Sequence, residues 1–289
     1  MKNIYLFLAA LFLLSSCQTV VDLELDEGSK TLISESVLEF VQGKDYGSVR
    51  VALTETASYF SNDENPIVSN AIVVLNDIHI LLEQEENSGI YIFDSVPLGD
   101  LNDVCKLSIQ AEVNGFQGEW EGTDYFTQLA AIDTIYTSFE FEEGHLGKDG
   151  YFVNIGFTEP GNEINFYVQE IEHKPFDTSF VLDENTRPDF PYPHIYDDML
   201  GNGQYLEFPI NHRPYKKNDT VSVKFSSISE HTFSFYQNLI QLLFQTLGVG
   251  AAPPFPLRGN LVSQNENFEN ALGNFKVKNV FQRDLIIGE

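Results

Sequence analysis

The sequence predicts a mainly β protein of two packed β-sandwich modules with one α-helix near the C-terminal end. Three observations predict it. Apolar and polar residues alternate at period two in run after run. Clusters of Gly, Pro, Asn and Asp separate those runs. A convincing helical period occurs once, late in the chain. The chain has 289 residues, 43% apolar and 13% aromatic, which suits a packed core rather than a disordered polymer.

The N-terminus reads as an export and anchoring signal. Lys2 is followed by an apolar run from Ile4 to Leu14, too short to span a bilayer stably. Leu14-Ser15-Ser16-Cys17 closes the run and resembles a bacterial lipoprotein cleavage site. That resemblance implies a signal peptide over residues 1–16 and lipid attachment at Cys17. Several acyl chains, at ~0.8 kcal/mol per buried CH₂, would hold the protein on a membrane. Residues 17–30 are polar and acidic and read as a tether.

A first module is expected over residues 31–130. Leu32–Val41 is its first strand. Val49, Val51 and Leu53 alternate with Arg50, Ala52 and Thr54 in the second. Ser61–Pro66 is a turn-rich loop. The continuous run Ala71–Leu75 suggests a central strand covered on both faces. Ile78, Ile80 and Leu82 begin another strand, with His79 pointing off the core. Ser88-Gly89 turns the chain into Ile90–Phe93. Cys105, Leu107, Ile109, Ala111 and Val113 then share one face of a half-buried strand, followed by Phe116–Trp120. With Cys17 lipidated, Cys105 has no disulfide partner and is expected as a small buried hydrophobe. The stretch Pro66–Asp77, Gly89-Ile90-Tyr91 and the Cys105 strand resemble transthyretin-like or immunoglobulin-like modules of secreted bacterial proteins.

A second, β-rich module is expected over residues 131–289. Ile135–Phe141 opens it. Tyr151, Val153, Ile155 and Phe157 alternate, and Glu159-Pro160-Gly161-Asn162 closes that strand. Ile164–Ile171 forms the next. Residues 174–203 carry no clear period, and a long segment of that kind is usually functional or mobile. Leu206, Phe208 and Ile210 resume strand spacing, as do Val221, Val223 and Phe225. A helix is expected over 230–247, with Phe233, Tyr236, Ile240, Leu243 and Leu247 on one stripe. Ser227 to Glu230 fits a capping box, and Ser229 is an alternative cap. Gly248, Gly250, Pro253 and Pro254 prevent continuation.

The formal net charge is −27, so a nucleic-acid partner is excluded by phosphate repulsion. The sequence contains no phosphate-cradling glycine loop, nucleophile elbow or zinc spacing. The histidines are scattered. Catalytic, metal and cofactor residues are therefore not expected. Asp183-Glu184-Asn185 and Asp197-Asp198 could offer oxygens to calcium, but the spacing of an EF-hand is missing. The stretch Arg187–Tyr196 joins a cation, aromatics and rigid prolines. Arg187, Phe190, Tyr192 and Tyr196 are the candidate contacts for a ligand or partner. The same loop could instead cover its own sandwich.

The mature chain as a whole resembles a family of Bacteroidota outer-membrane lipoproteins, domain of unknown function 4249. Cys17 with Val20-Val21-Asp22-Leu23, and the path from Val51-x-Leu53 through Tyr59-Phe60 and Pro66 to Ala71–Asp77, carry its first half. Asn218-Asp219-Thr220-Val221, then Pro254–Asn260 and Leu272-Gly273-Asn274-Phe275, carry the second. Asn274 departs from the aromatic more usual there. The resemblance implies an outer-membrane lipoprotein that partners a TonB-dependent receptor or transporter as a non-enzymatic accessory or binding subunit, and the acidic Asp22, Glu24, Asp26 and Glu27 behind Cys17 resemble the signal that sends such lipoproteins to the cell surface rather than the periplasmic face. A free-standing surface binding protein for a glycan, peptide or metal is the alternative, and a hydrolase the third.

Overall fold

Period-two alternation becomes strand almost throughout. The computed structural model describes residues 30–57, 64–100, 102–141, 149–161, 163–174, 193–198, 201–211, 214–246 and 255–288. The first seven strands are β1 (Leu32–Val41), β2 (Tyr46–Glu55), β3 (Ile72–Leu75), β4 (His79–Glu83), β5 (Ile90–Pro97), β6 (Val104–Val113) and β7 (Phe116–Tyr125). There follow β8 (Ala131–Glu140), β9 (Gly150–Thr158), β10 (Phe166–Lys174), β11 (His194–Asp197), β12 (Tyr205–Pro209) and β13 (Thr220–Ile228). Helix α1 (Glu230–Thr246), β14 (Val262–Ser263) and β15 (Leu272–Ile286) complete the chain.

One large sheet organises the molecule. It has 12 strands in the order β11-β10-β13-β15-β1-β2-β5-β4-β3-β6-β7-β14, and a second sheet has 3 in the order β12-β9-β8. The last long strand, β15, runs parallel to β1 and antiparallel to β13, joining strands from both halves of the chain. The large sheet curls. The Val277 N–H of β15 donates to Asp124 of β7 at 2.8 Å, although the two strands are far apart in sheet order. The curl encloses a first core around Leu38, Val51, Tyr91, Ile109, Trp120 and Phe275. The 3-stranded sheet packs on β10 and β13 over a second core around Ile155, Phe157, Tyr167, Val223 and Phe225. Helix α1 covers the opposite face of the same strands, burying Phe233 and Tyr236 against Val168 and Ile228.

Local chemistry fixes the turns. Asn114 and Gly115 both have positive φ (54° and 79°), the signature of a two-residue hairpin turn between β6 and β7. Gly273, at φ 90°, lies so close to β1 that a Cβ would meet the Ser34 carbonyl oxygen at 2.1 Å.

Several expectations need correction. Ala71–Leu75 is not covered on both faces: Ile72 is 56% exposed, while Val73 and Leu75 are buried. In β4 the faces are inverted. Ile80 and Leu82 are 61% and 72% exposed, whereas Leu81 is buried and His79 shares its inward face, its ring 4.8 Å from that of Phe93. The register explains this, because Leu81 faces Val73 and His79 faces Leu75 across the ladder. A shift of one residue exchanges the two faces of a strand, and pattern alone does not say which face is the core. The 174–203 segment is not structureless either, since β11 lies within it and pairs with β10. Ser229, not Ser227, caps α1, its Oγ accepting the Thr232 N–H at 3.1 Å. The Ser227 hydroxyl lies 2.9 Å from that of Thr127. Toward the helix C-terminus burial fades, with Leu239, Ile240 and Leu243 half-buried and Phe244 54% exposed. Cys105 is free and buried as expected, and burial pushes its thiol up to about 11.

Candidate functional site

The inversion of β4 places aliphatic side chains on an open sheet face. Register places Ile90 and Ile92 of β5, Ile80 and Leu82 of β4, and Ile72 and Val74 of β3 on one outward face. Ile72, Ile80 and Leu82 are exposed, and the other three are half-buried. The same face continues through Ser108 and Gln110 of β6 to Glu119 and Glu121 of β7, so an acidic strip borders the aliphatic one. Lys106 stands in that strip, 2.6 Å from Asp77 and 3.5 Å from Glu121. At the far end of the large sheet, α1 covers this same face. Contiguous exposed aliphatic surface with a polar rim is the mark of an association site.

Of the sequence-predicted contacts, Tyr196 alone falls among the described residues. Cys17, Arg187, Phe190 and Tyr192 lie outside the described residues. Tyr196 is half-buried on β11, its hydroxyl donating to Gln169 Oε1 at 3.1 Å and its ring 5.0 Å from Phe208. Burial raises its phenol to about 12. In this position Tyr196 packs the edge of the second core.

Two buried polar clusters lie apart from the open face. The first sits at the N-terminus of α1. Asp124 Oδ2 accepts from Thr232 Oγ1 at 3.0 Å and from the Val277 N–H, and burial raises its pKa. Asn274, 1% exposed, donates to Thr232 Oγ1 at 3.2 Å. Its Oδ1 accepts the Asn260 N–H at 3.1 Å and lies 3.2 Å from His231 Nε2. The Asn260 side chain serves both the N–H and the C=O of Phe275, at 2.8 Å each. It therefore completes the β15 backbone as a neighbouring strand would.

The second cluster joins the end of β9 to the starts of β10 and the segment after β11. Glu159 and Asp198 are 2% and 1% exposed. Tyr167 donates its hydroxyl to Glu159 Oε1. Burial, reinforced by the neighbouring Asp198 carboxylate, lifts Glu159 to about 7. His173 belongs to neither cluster. Its Nε2 is 2.8 Å from Asp219 Oδ2, and its ring lies on Tyr215 at 4.7 Å. Among the described residues no hydroxyl or thiol side chain bonds to it.

The decisive comparison is with protein families. The model of the family described as "Domain of unknown function (DUF4249)" matches residues 20–284. The chain is a DUF4249 protein. No curated protein and no solved structure matches it.

The geometry explains one segment that carries the resemblance, Gly259-Asn260 with Leu272–Phe275. Gly259 allows close approach, because a Cβ there would meet the Gly273 carbonyl at 2.2 Å. Asn260 and Asn274 lock the same crossing with their amides. The unusual Asn274 is thus a hydrogen-bonding hub under α1 rather than an aromatic filler. The open face was missed because its aliphatic alternation matches that of a core-facing strand. Only the residues across the ladder reveal its direction.

Proposed function

We propose that this DUF4249 chain is a lipid-anchored outer-membrane lipoprotein, displayed at the cell surface, that acts as a non-enzymatic accessory or binding subunit of a TonB-dependent receptor or transporter. In this reading Cys17 carries the lipid, and the uncovered face of β3, β4 and β5 docks the partner. The observation that carries it is that face: six aliphatic side chains on one sheet surface, beside the acidic Glu119 and Glu121. Burying one such side chain fully is worth about 1.5–3 kcal/mol, so several together, with complementary polar contacts, are needed to offset the roughly 4–15 kcal/mol that association costs. The acidic border calls for Lys or Arg on the partner. Residues 17–30, fully extended, span at most about 50 Å. A partner reached on so short a leash stands in or on the same membrane.

Arg187, Phe190 and Tyr192 remain proposed secondary contacts. The finer fold reading belongs here too. Two cores, each with its own covering strands, support two immunoglobulin-like or transthyretin-like sandwich modules that share β15. The functional test is co-purification. The lipidated protein, extracted in mild detergent, should bring a barrel with it, and Ile80→Glu with Leu82→Glu should release that barrel without lowering the melting temperature.

A further inference from the structure

The Glu159–Asp198 cluster has a geometry that the proposed docking role does not use. Four oxygens converge on one nitrogen, Asn165 Nδ2. They are Glu163 O at 3.1 Å, Pro160 O at 3.3 Å, Glu159 Oε2 at 3.4 Å and Asp198 Oδ2 at 3.4 Å. An amide NH₂ has two hydrogens, so it satisfies two acceptors well and leaves the others short. Asp198 Oδ1 is buried with no hydrogen-bond partner at all. Among the described residues, no Lys or Arg forms an ion pair with Glu159 or Asp198. Two buried carboxylates thus face each other with an orphaned oxygen, an arrangement that costs free energy unless positive charge joins them.

We propose that Glu159, Asp198 and Asn165, with the carbonyls of Pro160 and Glu163, form a binding site for a hard divalent cation, calcium by preference. Every acceptor is oxygen, which disfavours zinc and other softer metals. Calcium takes 6–8 oxygens at about 2.3–2.6 Å in adaptable geometry. Turning the Asn165 amide over replaces its nitrogen with Oδ1 and adds an oxygen to the set, a change of about 180° that preserves its shape. Two carboxylates balance the double charge. The ligands come from the end of β9, from Pro160, Glu163 and Asn165, and from the residue after β11, so the ion ties an edge strand to the second core. Asp197-Asp198 is one of the acidic pairs singled out in the sequence, and its partners across the fold supply what the missing EF-hand spacing does not.

The alternative occupant is a proton shared between the two carboxyls. The experiment separates them. The full detergent-solubilised chain is melted in EDTA and in about 10 mM calcium chloride, well above the 10⁻⁴–10⁻³ M dissociation constants of extracellular calcium modules. Calcium should raise the melting temperature by about 3 °C or more. Asp198→Asn should abolish that rise while melting in EDTA no lower than wild type, because it removes one of two facing charges. Glu159→Gln provides a second variant should the first fail to fold. Glu85→Gln with Glu86→Gln, on an exposed turn, should keep the full rise. No shift in wild type, or a shift that persists in both cluster variants, overturns the proposal in favour of the shared proton.

Discussion

Lys276 shows how an acidic protein can still strain a cation. It is half-buried beneath α1, its Nζ 5.5 Å from the centre of the Tyr236 ring. Desolvation, with repulsion from Lys278, lowers it to about 8. Glu170 of β10 is occupied by Lys278 at 2.7 Å, and Glu39 of β1 by Lys224 of β13 at 2.9 Å. Glu35 of β1 also faces it. The folded-state pKa lies below the unfolded value of 10.5, so the unfolded chain holds the proton more tightly between the two. Stability therefore rises with pH from about 8 to 10.5, and the full penalty is present below about 8. Lys276→Met should melt higher than wild type at pH 7, with the gap narrowing as pH rises through that window. A gap unchanged from pH 7 to 10 would reject this account. Asn260→Ala should have the opposite effect. It strands the Phe275 N–H and C=O, and should cost about 2–4 kcal/mol in denaturant unfolding. At this scale the burial of Cys105 was legible from its strand, because its face was apolar throughout. The role of Asn274 was not, because its partners His231 and Asn260 are distant in sequence.

Among the elements, β4 is the instructive one. Its existence followed from alternation. Its orientation depended on which residues lay across the ladder, and a strand carrying Ile78, Ile80 and Leu82 against His79 and Leu81 reads more naturally the other way. The structure makes the choice testable. Leu81→Ala should cost about 2–5 kcal/mol, as for a buried leucine, whereas Ile80→Ala should change stability by no more than about 0.5 kcal/mol. Equal costs in thermal or denaturant unfolding would mean that the faces are assigned wrongly. Helix α1 was located from its period and its following glycines and prolines. Its cap stayed open between Ser227, with Glu230 at the capping-box spacing, and Ser229, which immediately precedes the helix, and only the backbone path distinguishes them. Ser229→Ala should cost about 1 kcal/mol, while Ser227→Ala should cost only its part-buried contact with Thr127.

For the molecule as a whole, the β class, with one helix among the described residues, was legible because alternation is local. The joining of both halves into one curled sheet was not, because it depends on β15 returning to β1 across more than two hundred residues. That return also leaves one long sheet face of which, among the described residues, α1 covers one end, and the proposed function rests on the other. The anchor adds a condition. Cys17→Ala should leave the protein unlipidated and free of membranes, with labelled palmitate incorporated into wild type only. Docking itself is tested most directly by quantifying co-purified barrel across three proteins: wild type, the Ile80→Glu and Leu82→Glu double variant, and a control with Phe139→Glu on the edge strand β8. The account predicts that a TonB-dependent receptor accompanies wild type and the β8 control in equal yield. It also predicts that the β4 variant, with an unchanged melting temperature, loses at least tenfold, about 1.4 kcal/mol of affinity. A receptor that stays with the β4 variant at full yield, or no barrel with wild type, would contradict the claim that the open face is where this protein meets its partner.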